Sequence, residues 1–258
     1  MLNFNRIWAV ALRYIVPTFG NRIFTIIYWL VLNIVIWGST SAWIQRQASI
    51  PNLVSMIITG FVLWQIVFRV NLETAKSLFE EISNHNLVNI FASPLKLGEW
   101  IIGVMLVGLV DTFFVVIFGS IIAWIFYDIN LFSFGINLVF LAILLTMSGW
   151  FIGFLICSIL ILKGKKTQDL IYSLGYVFAP FSCIYYPLNS QPYWIKIISS
   201  AVPMTYVFEN IRYVFTYGAT NFALLFKSFG LNLFYLALSI VLFVFMFNYS
   251  KRNSLAFL

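Results

Sequence analysis

The chain has 258 residues, 62% hydrophobic and only 9% charged, where an ordinary soluble domain carries about a quarter charged residues. With a mean hydropathy of +0.97 this excludes a soluble globular class and places the chain in a bilayer. The net charge of +7 does not indicate nucleic acid, because the basic residues sit at the ends of apolar runs and form no stripe with interleaved aromatics.

Phe4, Ile7, Trp8, Ala11 and Ile15 recur at helical spacing while Arg6 and Arg13 point elsewhere. That pattern predicts an interfacial amphipathic helix over 1–16, ended by Pro17 and Gly20. No small-residue cleavage site follows the first apolar run, which is therefore read as a retained helix. Since roughly 20 apolar residues cross a bilayer as a helix, the expected spans are 23–43, 53–70, 101–126, 134–162, 170–186 and 231–249. SIPN at 49–52, YDIN at 127–130 and KGKKTQD at 163–169 are the polar links. No repeat or linker divides 1–258, so an all-α polytopic fold in one membrane domain is expected. With six spans and a cytoplasmic N-terminus, eleven Lys and Arg fall inside and four, Arg46, Lys196, Arg212 and Lys227, fall outside. That bias puts both termini in the cytoplasm.

The stretch EEISNHNLVNIFASPLKLGEW at 80–100 is a polar insert between two of the most apolar runs. Leu72, Ala75, Phe79 and Ile82 share one helical face, with Glu73, Lys76, Glu80 and Glu81 largely on the other. SNHN breaks the pattern, Leu87, Ile90 and Phe91 resume it, and Ser93-Pro94 stops it. This predicts a short helix in the interface, its polar face of Glu80, Glu81, Asn84 and His85 offered to a cytoplasmic partner and its Leu87, Ile90 and Phe91 turned to the membrane. The bland alternative is a loop anchor.

Asp111 lies well inside the third span, where a charge costs about 2.5–3.5 kcal/mol on insertion scales. It lines a path, stays protonated, or faces a polar partner such as Asn33 or Gln65. Glu209 and Arg212 are three apart and can pair on one helical face. Trp8, Trp43, Trp100, Trp124, Tyr127, Tyr185 and Tyr186 suit the headgroup level. Ser148, Gly149 and Gly153 put small residues on one face, suited to close helix approach. Between 187 and 230 the apolar pieces, YWIKIIS and YVFENIRYVF, are too short to cross.

No GxxxxGK[ST] occurs, since LKGKK at 162–166 lacks the glycine loop that would hold phosphate. The lone His85 has no metal-binding companion in sequence, and no nucleophile, base and orienter set surrounds it. Cys157 and Cys183 show no CxxC and read as reduced buried thiols. No catalysis, metal or cofactor is expected of this chain.

Four blocks resemble the type-2 ABC exporter permeases, the ABC-2 membrane family: 6–38, NLVNIFASPLKLGEWIIG at 86–103, FAPFSCIYYPLNSQPYWIKIISSAVPMTYVFENIR at 178–212, and the last span. The SPL-x-x-x-EW block and the YPL…P-x-W…P-x-TY-x-x-E-x-x-R series carry the likeness, which extends over essentially the whole chain. The resemblance implies a non-catalytic permease subunit, a homodimer or pseudo-dimer served by two separate ATP-binding subunits that hold ATP and Mg. It makes 80–94 the coupling helix, with Pro94 at its end, and turns the region holding Pro187, Trp194, Pro203, Glu209 and Arg212 into short re-entrant helices at the outer mouth. Asn33, Gln65 and Asp111 become candidate pathway groups. The N-terminal block resembles the drug-efflux branch and favours export of small amphiphiles across the cell membrane. Lipid-linked glycan export is the alternative, with Tyr185, Tyr186 and Trp194 as sugar platforms. A gradient-driven transporter fits less well, because no inverted repeat is visible and only one acid lies deep.

Overall fold

The computed structural model describes residues 2–48 and 52–252, so part of the expected 49–52 turn and the last residues of the chain lie outside the description. The described residues are all-α, with no strand. The first helix, α1 (Phe4–Ile15), is capped by the Asn3 side chain and buries Ile7, Val10, Ala11 and Tyr14. A 3-10 turn containing Pro17 joins it to α2 (Phe19–Ala48). The following helices are α3 (Leu53–Ser83), α4 (Leu87–Ala92), α5 (Leu97–Tyr127) and α6 (Ile136–Lys163). After them come α7 (Asp169–Phe178), α8 (Tyr193–Ala201), α9 (Pro203–Tyr217) and α10 (Phe222–Arg252).

Among the described residues, five helical stretches are long and apolar enough to cross a membrane: Phe4–Gln47, Leu53–Ser83, Leu97–Tyr127, Ile136–Thr167 and Phe222–Arg252. Their outward faces carry Phe24, Phe113, Ile125, Phe140, Phe226 and Phe245, exposed apolar side chains of the kind a bilayer covers. The chain is thus a polytopic helical protein of multi-pass membrane type.

The helices α3 and α6 form the centre. They approach closely because Gly149 and Gly153 have no side chain: a Cβ there would lie 2.6 Å from Val70 Cβ and 2.6 Å from Thr74 Cβ respectively. The small-residue face read from the sequence is thus a contact face. Cys157 and Cys183 are both free and buried.

The expected fifth span is broken. Helix α7 has 10 residues, and a 3-10 turn at Pro180–Ser182 and left-handed Cys183 follow it. It climbs α3 nonetheless: Gly175 abuts Asn71, Tyr176 lies 4.6 Å from Phe68, and Tyr185 lies 5.4 Å from Phe61. From Asn71 to Phe61 the rise along α3 is about 15 Å. Helices α6 and α10 run parallel, since Ser148 bonds Asn232 at 2.7 Å while Ser250 donates to the Ile161 carbonyl at 3.0 Å. The chain between them therefore returns to its starting end, by way of α7 and of α9, whose Phe215 meets Phe134 just before α6.

Other boundaries also shift. Residues 72–83, expected in an interfacial helix, are the unbroken continuation of α3, because no helix-breaking residue intervenes before Asn84. The last helix begins at Phe222 and not near 231, since Phe222 to Gly230 continue its helical register.

Candidate functional site

The connection from α3 to α5 is short and held at both ends. Helix α3 stops at Asn84, His85 takes a left-handed φ of 51°, and α4 runs for 6 residues before Ser93 turns extended ahead of Pro94. Helix α5 then opens with a capping box in which the Glu99 carboxylate accepts from the Lys96 backbone N–H at 2.9 Å. The other Glu99 oxygen accepts from the Asn3 N–H at 2.9 Å, which ties the start of α1 to the start of α5.

Glu81 is the second fastener. Its carboxylate accepts from Arg13 Nε at 2.8 Å and Nη2 at 3.1 Å, from the Tyr14 hydroxyl at 3.0 Å, and from Asn86 Nδ2 at 2.8 Å. Trp100 Nε1 donates to the same Tyr14 hydroxyl at 3.0 Å. Along one side, Gly103 lets α1 lie directly on α5, since a Cβ there would sit 2.6 Å from Val10 Cγ1. Arg6, Tyr14, Asn89, Ile90 and Pro94 line a cleft of about 470 Å³ between α1 and the connection.

Glu81 is only 3% exposed, so it faces α1 of its own chain and not the outward polar face expected for it. The reason is register: Glu81 lies on the side of α3 where α1 docks, and a buried carboxylate requires the Arg13 and Tyr14 donors. Glu80 is half-buried and pairs with Lys76 at 3.6 Å. Asn84, His85 and Pro94 are exposed, and His85 Nε2 lies 3.3 Å from Lys165 Nζ. Leu87 is buried within the protein and Ile90 half-buried. The Phe91 side chain lies outside the description.

A second charged cluster sits deeper. Arg22 Nη1 donates to both oxygens of Asp111, at 2.7 and 2.9 Å, and its Nη2 lies 2.9 Å from Glu73 Oε2. Arg22 also donates to the Tyr14 carbonyl at 3.1 Å. Asp111 is fully buried, and its partner is this guanidinium, not Asn33 or Gln65. Asn33 instead donates to the Trp29 carbonyl at 2.7 Å, and Gln65 is buried on α3. The sequence carried one signal for the pair: a deep acid needs a cation at similar depth, and Arg22, at the start of α2, and Arg69, within α3, are cations of that kind. Arg69, buried on the same helix face as Glu73, was not singled out by sequence reasoning.

The far end holds a third set. Arg212 Nη1 donates to Glu209 at 2.9 Å, as the spacing predicts, and Arg212 also caps the Cys183 and Ile184 carbonyls. Glu209 accepts from the Leu188 N–H at 2.8 Å. The pair thus staples α9 to the irregular segment after α7. Pro203 opens α9 and its carbonyl accepts from Ser228 at 2.9 Å. Tyr185 packs at a tilt against Trp37 and Phe61, Pro187 precedes a 3-10 turn, and Tyr186 and Trp194 are exposed. The predicted residues therefore fall into separate groups, one at the α3–α5 connection, one at depth and one at the opposite end. Among the described residues no cluster of His, Cys, Asp and Glu could hold a metal ion.

No protein-family model matches the chain, and no curated protein matches it. The architecture is that of a multi-span membrane protein of transport type.

Proposed function

We propose that the chain is the membrane subunit of an ATP-binding-cassette exporter, itself non-catalytic, which moves small amphiphiles outward under the drive of two separate ATP-binding subunits that carry ATP and Mg. The observation that carries this reading is the α3–α5 connection. It is bolted to α1 through Glu81 and Glu99, yet it leaves Asn84, His85, Val88 and Asn89 exposed. A stiff elbow with a polar outer surface joins two helices that run the depth of the protein, so a push on it moves α3 and α5 together and not a loose loop.

In this reading the elbow and both termini are cytoplasmic, and a second copy of the chain completes the transport unit. The crossings number six, the fifth being the broken climb of α7 and the residues after it along α3. The parallel course of α6 and α10 supports that count, because a chain that leaves one end of α6 and begins α10 at the other has crossed between them. The hairpin of α8 and α9 serves as the outer re-entrant element.

The test is reconstitution with and without an ATP-binding subunit, following nucleotide-dependent efflux of a fluorescent amphiphile from proteoliposomes. Flux driven by an ion gradient without nucleotide sinks the exporter reading. Exposed Tyr193 and Trp194 on α8 favour a second cargo, a lipid-linked glycan that stacks on aromatic faces. Loss of surface glycan with unchanged drug accumulation on deletion of the gene selects that cargo instead.

A further inference from the structure

Arg69 stands apart from the other buried charges. It is 3% exposed, and its Nε and Nη2 have no hydrogen-bond partner. Both nearby carboxylates are already taken, Asp111 and Glu73 being bound by Arg22. A guanidinium does not deprotonate in a protein, so Arg69 stays charged with donors that nothing in the described chain accepts. Arg22, Asp111 and Glu73 together carry one net negative charge, which Arg69 offsets at a distance without donating to it.

The surroundings give this cation a direction. On α3 the residues at Phe61, Gln65, Phe68, Arg69 and Leu72 keep slight exposure, whereas Val62, Ile66, Val67 and Val70 have none. That spacing is one helical stripe, closed in this structure and bordered by α2 and α7. Aromatic rings wall it. Trp37 of α2 stacks on Phe61 at 4.7 Å, and Tyr176 of α7, a residue 48% exposed, lies 4.6 Å from Phe68.

We infer that α2 and α7 part over this stripe to admit an amphiphile with an anionic head, a carboxylate or phosphate, held by Arg69, with its apolar body against Phe68 and Tyr176. The planar fork of a guanidinium matches these heads. A cationic head meets Arg69 with like charge and finds both acids occupied. The site deepens the export reading by naming the cargo's charge, and rests on it for biological use; the binding itself rests on the geometry.

The experiment measures the shift of the thermal unfolding midpoint of the purified full chain against concentration of octanoate, octyl phosphate, octanol and octylamine, which orders their affinities. Octanoate and octyl phosphate bind at least about tenfold tighter than octanol, the usual gain of a charge-assisted pair. Arg69→Gln reduces that preference to less than about twofold, while Arg69→Lys keeps part of it. Tyr176→Ala, a change at an exposed ring, weakens octanoate, octyl phosphate and octanol alike. Equal binding of octanol or octylamine in the native chain overturns the site, as does a preference that survives Arg69→Gln. So does a native dimer that binds none of the four and comes apart in Arg69→Gln, which gives the cation to a second copy. Should Arg69→Gln fail to fold, the order of the four ligands on the native chain decides. Charge-selective binding without nucleotide-driven export rejects the exporter and keeps the site. Export of neutral and anionic amphiphiles at equal rates rejects the site and keeps the exporter.

Discussion

Helix α3 carries two buried charged sites about 12 Å apart along its axis, eight residues at the usual helical rise, and they are built to opposite plans. At Glu81 every demand is met, with donors from Arg13, Tyr14 and Asn86 converging on one carboxylate. At the upper site Arg22 serves two carboxylates while Arg69 serves none. A saturated cluster fixes geometry, because any movement leaves a buried charge bare. An unsaturated one stores an unmet demand that an arriving group can answer. On one helix the protein therefore has a fastener at the elbow and a receptive site at depth.

Breaking the upper site has the largest expected effect. Asp111→Ala leaves Arg22 with Glu73 alone and removes a fully buried partner, a loss of about 3–5 kcal/mol. The check is the chemical unfolding midpoint in detergent, beside the double variant Arg22→Met, Asp111→Leu. The double variant recovers only part of the loss, since it removes the Arg22–Asp111 pair together but leaves the buried Glu73 carboxylate without Arg22. Equal stability of Asp111→Ala and the native chain would show that the ion pair is not what holds α2 to α5.

Glu81→Gln acts differently. It keeps an acceptor but loses the charge that Arg13 and Tyr14 are aimed at, a cost of about 1.5–3 kcal/mol for charge-assisted bonds. The loss is local: amide exchange over α1 quickens while the global midpoint moves little, because α3, α5 and α6 keep their contacts. Unchanged protection over α1 would deny Glu81 its role as a fastener. Gly103→Ala probes the same dock from the other side. Its Cβ would meet Val10 Cγ1 at 2.6 Å and the Ile7 carbonyl at 3.0 Å, and that backbone oxygen cannot rotate away. The overpacking costs about 1–2 kcal/mol and lifts α1, seen again as faster exchange in 4–15.

Hydrophobic period and the polar insert made the helices and the elbow legible from sequence, and the resemblance supplied the roles. The partners of the charges were not legible. Glu81 was placed outward because its neighbours Glu80 and Lys76 are outward, but one residue is a 100° turn on a helix, and only the docking of α1 decides which of two adjacent acids is buried. For Asp111 the sequence offers polar neighbours, Asn33 and Gln65, because Arg22 reads there as a flank. An arginine stem is long enough to reach inward from a helix start, so its position in sequence understates its depth. Leu170 to Tyr186 carries no charged residue, which predicts a continuous fifth span. What breaks it is local, Pro180 followed by left-handed Cys183, and Arg212 from a distant helix caps the carbonyls left free.

The smallest effect sharpens the comparison most. Lys76 and Glu80 lie on the same helix as Glu73 and Glu81, with opposite charges one turn apart and Nζ 3.6 Å from the carboxylate. By composition this matches Arg69 and Glu73 at the upper site, a cation and an acid at the same four-residue spacing. Yet both side chains are over a third exposed, at 37% and 41%, so water solvates each charge whether or not they meet. Lys76→Ala therefore changes stability by no more than about 0.5 kcal/mol, leaves amide exchange over α1 untouched, and weakens further still in high salt where the native pair is already screened. The measurement is the unfolding midpoint at low and high ionic strength, beside Asp111→Ala. If Lys76→Ala costs as much as Asp111→Ala, burial is not what separates the two sites, and the argument that Arg69 awaits a partner loses its premise, because an exposed pair would then be worth as much as a sealed one.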